Sequence, residues 1–192
     1  MVRGRSSSWI ARLDGDCGWG RRLSPTAGMS PLKLVDSSRM SATAPTEQIG
    51  KTYAPTSYAV GREKIREYAH AVGETNPLHL DLEAARAAGY ADLVAPPMFA
   101  VVYCAQAFLP VLLDPALEID FEHLVHSAQE FRWDGPMVFA GDEVTTTTTV
   151  ADISERAGLR FYVLHTESVN DRGETVCTGI WQTIIRPAQE LG

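Results

Sequence analysis

The stretch Met98-Phe-Ala-Val-Val-Tyr-Cys-Ala-Gln-Ala-Phe-Leu-Pro-Val-Leu-Leu113 is the longest apolar run in the chain. Pro96 and Pro97 precede it, and a proline at the first position of a helix is already set for the turn that it begins. The run is shorter than the ~20 residues that a helix needs to cross a bilayer. Because its apolar side chains fall on every side, we expect a buried helix that other parts of the chain cover.

Four segments after Asp120 are rich in Val, Ile, Thr, Phe and Tyr and have a period of two, which is typical of β-strands. They cover residues 127–133, 143–152, 159–169 and 174–186. The stretch Asn170-Asp-Arg-Gly173 predicts a hairpin turn between the last two segments. The threonine run from Thr145 to Thr149 is expected in an edge strand or on a face exposed to solvent.

Shorter elements are predicted before the apolar run. A short strand is expected near residues 49–58, and apolar residues at i, i+3, i+4 and i+7 between residues 61 and 72 predict a helix with one apolar stripe. The stripe consists of Ile65, Tyr68, Ala69 and Val72. Asp81 can cap a further helix over residues 82–88. A sheet curled around the central helix buries the apolar faces of both, so the sequence predicts the α+β class.

The stretch Gly73-Glu-Thr-Asn-Pro-Leu-His-Leu-Asp81 carries the candidate chemistry. It resembles the signature of the MaoC-like (R)-specific hydratase/dehydratase family, which is written Gly-Asp-x-Asn-Pro-(Ile, Leu or Val)-His-x-Asp. Six positions match, whereas Glu74 stands where the family has its catalytic Asp. The resemblance implies a hot-dog fold over residues 47–188, in which an antiparallel sheet wraps around a long central helix.

A second resemblance lies in residues 58–69, Tyr-Ala-Val-Gly-Arg-Glu-Lys-Ile-Arg-Glu-Tyr-Ala. They are similar to the actinobacterial subunits that form the (3R)-hydroxyacyl-ACP dehydratase of fatty acid elongation. Such subunits come in pairs, in which one chain carries the catalytic dyad and the other often lacks it and holds the acyl chain. The resemblance thus implies a hot-dog homodimer, or a heterodimer with a paralogous subunit, whose substrates are acyl-CoA or acyl carrier protein (ACP) thioesters.

Glu74 and His79 suit the chemistry that the resemblance implies. Dehydrating a 3-hydroxyacyl thioester requires removing a proton next to the carbonyl and giving one to the departing hydroxyl, so a carboxylate and an imidazole must face one small volume. Asn76 and Pro77 bend the chain between them, because proline restricts the residue before it and Asn caps local backbone. We expect Glu74 and His79 to be catalytic, with Asn76 and Asp81 organising the residues around them.

The enolate oxygen that forms in such a reaction needs hydrogen-bond donors, and the start of a helix offers free backbone N–H groups. Because the central helix is expected to begin near Pro97 or Met98, the backbone amides of Met98 and Phe99 are the candidate oxyanion donors. This is the same helix start that Pro96 and Pro97 mark in the sequence.

Three arginines, Arg62, Arg66 and Arg132, are candidates for contact with the phosphates of the thioester carrier. His123 and His126 lie three residues apart, as metal ligands on a helix can, but no third ligand has a suitable spacing. Neither a metal nor a cofactor is predicted.

The predicted function is a hydro-lyase that reversibly hydrates and dehydrates 3-hydroxyacyl and trans-2-enoyl thioesters in fatty-acid metabolism. Two alternatives stay open. Glu is one methylene longer than Asp, and a misplacement of ~1 Å can cost on the order of 100-fold in rate, so the first alternative is a non-catalytic, acyl-chain-binding subunit of a heterodimeric dehydratase. The second alternative is a hot-dog thioesterase.

Charge argues against a nucleic-acid partner. The net charge is −7, and residues 1–39 hold seven basic and three acidic side chains, which leaves −11 on the rest of the chain. A domain that acidic repels phosphate backbones. Cys17, Cys104 and Cys177 have neither disulfide-framework nor zinc-site spacing, which favours a cytoplasmic location.

Residues 1–46 are rich in Ser, Gly, Pro and Arg and have no sustained apolar period. This composition predicts a disordered N-terminal extension, and either Met29 or Met40 is a candidate for the true initiator. The continuous apolar core of ~7–15 residues that a signal peptide needs does not occur before Met40, so no association with a membrane is predicted.

Overall fold

The computed structural model of the protein describes residues 45–186, which form five strands and four α-helices joined by short 3-10 helices. The strands are β1 Thr56–Ala59, β2 Leu124–Arg132, β3 Glu143–Arg156, β4 Leu159–Asn170 and β5 Thr175–Ile185. The α-helices are α1 Arg62–Ala71, α2 Pro77–Leu80, α3 Leu82–Ala87 and α4 Ala100–Leu112. The 3-10 helices are Pro45–Gln48, Pro97–Phe99, Pro115–Leu117 and Phe121–His123. Among these residues, no helix is both long and apolar enough to cross a membrane.

The strands form one antiparallel sheet in the order β1-β3-β4-β5-β2. The β4–β5 connection is the predicted hairpin, and it closes with a hydrogen bond from Asn170 N–H to the Glu174 carbonyl at 3.0 Å. Helix α4 packs against β3, where the Thr148 hydroxyl donates to the Ala107 carbonyl at 3.1 Å. The predicted arrangement of an antiparallel sheet around a long helix is therefore confirmed.

The core lies between α4 and the inner face of the sheet. Phe108 of α4 packs on Trp181 of β5, with ring centroids 4.1 Å apart. Burying an aromatic side chain of this kind contributes about 1.5–3 kcal/mol to folding. The buried polar atoms here satisfy one another: the hydroxyls of Thr146 and Ser168 lie 2.8 Å apart, and Cys104 Sγ lies 3.5 Å from the Ser168 hydroxyl. The expectation of an edge strand or a solvent-exposed face for residues 145–149 is wrong for Thr146 and Thr148, which are buried in a strand interior to the sheet, whereas the threonines that alternate with them are half-buried.

Helix α4 differs from the predicted helix in its start and in its burial. Residues Pro97–Phe99 form a 3-10 helix, so α4 begins only at Ala100. The sheet covers one side of α4, and on the other side Leu109 is 55% exposed; Leu113, the residue after the helix, is 63% exposed. The expectation of a helix wrapped by other structure therefore holds, among the described residues, for the side of α4 that faces the sheet.

The first part of the described chain is less regular than expected. Only β1 of the predicted strand at 49–58 is formed, together with an isolated bridge between Thr52 and Thr149. Proline lacks the N–H that a ladder needs, which accounts for the break at Pro55. Helix α1 matches its prediction except that Val72 is 57% exposed. The predicted disorder of residues 1–44 and the last two residues of the predicted domain, 187–188, lie outside the described residues.

Pro45 and Thr46, which the sequence placed in the disordered extension, belong to the 3-10 helix Pro45–Gln48. The chain after this helix is attached to the sheet, because Gly50 N–H donates to the Val150 carbonyl at 2.8 Å. The described residues thus begin at Pro45, two residues before the predicted boundary at residue 47.

Asp114 ties this first segment to the end of α4. Its side chain is 11% exposed and accepts hydrogen bonds from Lys51 Nζ at 2.6 Å and from the Tyr53 hydroxyl. Its second oxygen accepts from Ala116 N–H at 3.0 Å and caps the 3-10 helix Pro115–Leu117. Burial alone would raise the pKa of Asp114, but the bonds from Lys51 and Tyr53 outweigh it and leave the pKa lowered.

We predict that Asp114→Asn lowers the free energy of unfolding at pH 7 by about 1.5–3 kcal/mol, the contribution of hydrogen bonds to a charged group. A carboxylate with a lowered folded-state pKa stabilises the fold above its ordinary pKa of 3.8, and this contribution disappears as the pH falls through the folded-state value. Urea denaturation should therefore show the variant and wild type converging in acid. The control Asp171→Asn changes an exposed carboxylate and should shift stability by less than about 0.5 kcal/mol. Equal stability of Asp114→Asn and wild type at pH 7 would contradict the assignment.

Candidate active site

The loop after α1 turns sharply and presents Glu74. Gly73 has a φ of +72°, a left-handed backbone conformation that glycine adopts without a steric cost. The turn is closed by Glu74 N–H, which donates to the Ala69 carbonyl at 2.8 Å. The side chain of residue 74 thus leaves the chain at a position that the backbone fixes.

The predicted bend at Asn76 and Pro77 is present and forms the start of a one-turn helix, α2. Asn76 Oδ1 accepts from Leu78 N–H at 3.1 Å, and Pro77 occupies the first helical position. Asp81 caps α3 in the same way, with Oδ1 accepting from Glu83 N–H at 2.8 Å. The two residues predicted to organise the site are therefore helix caps that hold the backbone on either side of His79.

His79 is buried, with only 6% of its surface exposed, and its orientation is fixed by one hydrogen bond. Its Nδ1 lies 2.7 Å from the Val94 carbonyl oxygen. A carbonyl oxygen can only accept, so Nδ1 carries a hydrogen and the neutral ring leaves Nε2 as a hydrogen-bond and proton acceptor. This arrangement is the one that a general base requires.

Glu74 is held as a carboxylate. Its Oε1 accepts from Asn76 N–H at 2.9 Å and from Thr75 N–H at 2.8 Å. The hydrogen bond from Asn76 and then that from Thr75 lower the pKa of Glu74, and burial opposes them without cancelling them. The length of the Glu side chain lets it fold back on the two amides that follow it, and Oε2 stays available to a ligand.

Glu74 and His79 line one cleft with a volume of about 1010 Å³. The segment 132–138 lines the cleft as well, and the most deeply buried of its lining residues are Tyr103 of α4 and Val176 of β5. The full lining comprises Glu74, Asn76, Leu78, His79, Tyr90, Val94, Ala95, Pro96, Pro97, Tyr103, Arg132, Trp133, Asp134, Gly135, Pro136, Met137, Val138 and Val176. The two predicted catalytic residues therefore face a common space that can admit a ligand.

The predicted oxyanion donors are not placed as expected. The residues that line the cleft at the start of the helical segment are Pro96 and Pro97, which have no N–H. Phe99 N–H already donates to the Pro96 carbonyl at 2.8 Å, because the segment forms a tight 3-10 turn. Met98 lies outside the cleft lining, and its carbonyl accepts a hydrogen bond from the Tyr68 hydroxyl at 3.1 Å. The N–H group of Phe99 is thus not free to donate to a ligand, and the role of the Met98 N–H group as an oxyanion donor stays a prediction.

Of the three candidate arginines, Arg132 lines the cleft. It is largely exposed and lies 2.9 Å from Glu130. Arg62 forms an ion pair with Asp92 at 2.6 Å, and Arg66 donates to the Leu80 carbonyl at 3.1 Å, both away from the cleft lining.

The two histidines considered as metal ligands have separate surroundings. His123 Nδ1 lies 2.8 Å from Asp120, whereas His126 stacks on Trp181 with ring centroids 5.6 Å apart. Within residues 45–186, no three side chains of His, Cys, Asp or Glu come together as a metal site would require.

Sequence reasoning missed Tyr103 and left Trp133 open as either a core aromatic or part of the lining of an acyl-binding tunnel. Tyr103 lies inside the apolar run. A phenol hydroxyl in a helix made mostly of apolar side chains is the signal that could have identified it. Trp133 follows β2 directly and lines the cleft, where its indole Nε1 is buried without a hydrogen-bond partner among the described residues.

Residues 47–179 match a family model described as "FAS1-like, dehydratase domain region". A UPF0336 protein of Saccharopolyspora erythraea is 45% identical over 143 residues, which are 74% of this chain and 91% of the relative. A solved MaoC-like dehydratase superposes with a TM-score of 0.68 and 27% identity over 77% of this chain, which spans 45% of that longer chain. The truncated HadBC (3R-hydroxyacyl-ACP dehydratase) complex from Mycobacterium tuberculosis gives a TM-score of 0.63 and 28% identity over 73% of this chain and 98% of that one. These likenesses confirm the predicted hot-dog fold.

The geometry of Glu74 predicts that its carboxyl group titrates below the ordinary value of 4.5, because two backbone N–H groups bind the ionised form. An NMR titration that follows the carboxyl carbon of Glu74 checks this, with Glu74→Gln identifying the resonance. A midpoint at or above 4.5 would show that the side chain does not hold these two hydrogen bonds in solution.

Proposed function

This chain belongs to the FAS1-like dehydratase domain family, and we propose that it is a hydro-lyase that reversibly hydrates and dehydrates 3-hydroxyacyl and trans-2-enoyl thioesters in fatty-acid metabolism. The observation that carries the proposal is that Glu74 and His79 line one cleft, with the acceptor nitrogen of His79 left free by its bond to Val94. An imidazole and a carboxylate that share a ligand-sized space are what the reaction needs.

In the proposed reaction His79 transfers the proton and Glu74 binds the water. In dehydration, His79 Nε2 accepts the proton from C2 as the enolate forms. The resulting imidazolium gives this proton to the 3-hydroxyl as the C3–O bond breaks, and the double bond forms between C2 and C3. The water that leaves is held by the Glu74 carboxylate, whose lowered pKa keeps it ionised at neutral pH. Hydration follows the same steps in reverse.

The rest of the cleft supports an acyl thioester as the ligand. Val94, Val138 and Val176 supply apolar surface inside the cleft for the acyl chain. The exposed Arg132 lies where it can meet a phosphate of CoA or of the phosphopantetheine arm of ACP. Ligand pockets commonly have volumes of ~300–1,000 Å³, so a cleft of about 1010 Å³ accommodates a chain of this kind.

A second hot-dog chain is the partner that the surface favours. Strand β2 ends the sheet, so one of its edges meets no strand among residues 45–186. The exposed Leu109 and Leu113 provide apolar surface on the side of α4 that the sheet leaves open. A free strand edge and an exposed apolar surface are each features that favour a protein partner. We propose a second copy or a paralogous chain at this surface. The buried free thiols of Cys104 and Cys177 accord with a cytoplasmic location for the assembly.

One observation favours a second function. Glu74 replaces the Asp of the signature, and one of its oxygens is bound by its own backbone. This suits a non-catalytic, acyl-binding subunit whose partner supplies the dyad. The two functions differ in what Glu74 contributes to a reconstituted complex.

For the hydro-lyase we predict that purified protein consumes a trans-2-enoyl-CoA, and that Glu74→Gln and His79→Ala each lower kcat/KM by about 10²–10⁴-fold because each removes a group that moves or holds the proton or water. The absorbance of the enoyl double bond is the measurement, and His165→Ala, an exposed outer-face change, is the control that should leave the rate unchanged.

Full activity of a Glu74→Gln chain co-expressed with a paralogous partner would establish the acyl-binding role instead. Release of thiol without loss of the enoyl absorbance would identify a thioesterase. Wild-type inactivity, alone and with such a partner, would remove the proposal.

The exposed side of α4 predicts that Leu109→Glu weakens assembly of the chain, because it places a charge in a surface that a partner must dehydrate. Sedimentation velocity should show the wild-type protein as a dimer and the variant as a monomer. Val72→Glu, an equally exposed site away from α4, is the matched control and should sediment as wild type does. A dimer that survives Leu109→Glu would place the interface elsewhere.

A further inference from the structure

Tyr103 occupies the inner end of the cleft. It lies in the first turn of α4, is 2% exposed, and packs against Phe99 with ring centroids 6.4 Å apart. Its hydroxyl lies beside the thiol of Cys177, the residue that follows Val176 in β5. Tyr103 and Val176 both line the cleft and are both buried, so this part of the cleft lies against the core.

This hydroxyl differs from those of Tyr53, Tyr68 and Tyr162 in its partner. Tyr53 donates to Asp114, Tyr68 to the Met98 carbonyl and Tyr162 to the Leu117 carbonyl, all of them oxygen acceptors. The polar group beside the Tyr103 hydroxyl is a thiol, and sulfur is a weak acceptor. Among residues 45–186, no oxygen accepts from Tyr103, and its one polar partner is the Cys177 thiol. A carbonyl oxygen in the cleft would be a stronger acceptor than this sulfur and can take its place.

The reaction needs a donor that the helix start does not supply. Negative charge develops on the thioester oxygen as the C2 proton leaves, and donors aimed at that oxygen account for much of the rate of such reactions. Pro96 and Pro97, which form this wall of the cleft, have no N–H, and Phe99 N–H is already bonded to Pro96. The wall is thus poor in the donors that such a site requires.

We propose that the Tyr103 hydroxyl is a catalytic hydrogen-bond donor that binds the thioester carbonyl oxygen of the substrate. The proposal rests on the proposed hydro-lyase function, whose proton chemistry stays with Glu74 and His79. Tyr103 gives up no proton in the reaction; its hydrogen bond shortens and strengthens as the carbonyl becomes an enolate and relaxes when the double bond has formed.

The surroundings keep this phenol in the form that donates. Burial, followed by the nearby thiols of Cys177 and Cys104, raises the pKa of Tyr103 well above its ordinary range. A neutral phenol in an apolar site is an effective donor to an enolate oxygen, whereas a phenolate would repel it. One rival donor in the same cleft is the indole N–H of Trp133, which has no partner among the described residues.

The kinetic test is Tyr103→Phe, which removes the hydroxyl and keeps the ring. We expect kcat/KM for a trans-2-enoyl-CoA to fall by about 10²–10³-fold, mainly through kcat, because the lost interaction is strongest in the transition state. The matched control is Tyr162→Phe, which removes a buried hydroxyl bonded to Leu117 and should leave kcat/KM unchanged when assayed below its melting temperature. An unchanged kcat/KM in Tyr103→Phe would overturn the proposal.

A spectroscopic test separates this proposal from the hydro-lyase function. Octanoyl-CoA carrying carbon-13 at the carbonyl cannot undergo the reaction, and a hydrogen bond to its carbonyl lowers the stretching frequency in an infrared difference spectrum. Wild type should show this lowering, and Tyr103→Phe should lose it while still binding the thioester. If the lowering is present in a wild type that has no hydratase activity, the hydro-lyase assignment fails and the Tyr103 contact stands.

The same spectra decide between the two donors. A frequency shift that persists in Tyr103→Phe and disappears in Trp133→Phe would assign the contact to the indole and overturn the role of Tyr103. Absence of any shift in a wild-type complex of confirmed occupancy would overturn it as well.

Discussion

Helix α4 can bury its apolar side only by lying across the inner face of the sheet, and this mutual burial fixes the rest of the domain. Phe108 against Trp181 and Thr148 bonded to the Ala107 carbonyl set the helix on β3 and β5. The segment before α4 must then run past the loop after α1, and the cleft opens between them. The same burial leaves the far side of α4 uncovered, so the constraint that forms the core also creates the surface at which we propose a partner.

The chemistry of the cleft depends on backbone groups more than on charged side chains. The Val94 carbonyl selects the tautomer of His79, and the amides of Thr75 and Asn76 hold Glu74 ionised. These backbone groups are placed by helix caps, by one left-handed glycine and by the pairing of the segments that flank α3. Such a site is rigid before the substrate arrives, which is the condition under which oriented donors and acceptors are most effective.

The sequence predicts the elements of this fold well where local pattern and tertiary need agree, as in β2 to β5, the hairpin at Asn170 and the bend at Asn76. The sequence-based prediction fails where the conformation of a segment depends on contacts with a distant part of the structure. The start of α4 depends on the 3-10 turn that Pro97–Phe99 form, and the exposure of Leu109 depends on which side of α4 the sheet covers. The tertiary structure sets the direction of the Glu74 carboxylate and leaves the Tyr103 hydroxyl without an oxygen acceptor among the described residues. No spacing in the sequence encodes either feature.

In the proposed mechanism, Glu74 and His79 must both reach the same atom of a bound substrate. A crystal structure of the Glu74→Gln protein with a bound (R)-3-hydroxyacyl thioester measures this directly. We expect the 3-hydroxyl oxygen within about 2.6–3.2 Å of both the residue 74 side chain and His79 Nε2, since both act through hydrogen bonds. A thioester seated elsewhere, or one whose hydroxyl meets only one of the two residues, would contradict the account.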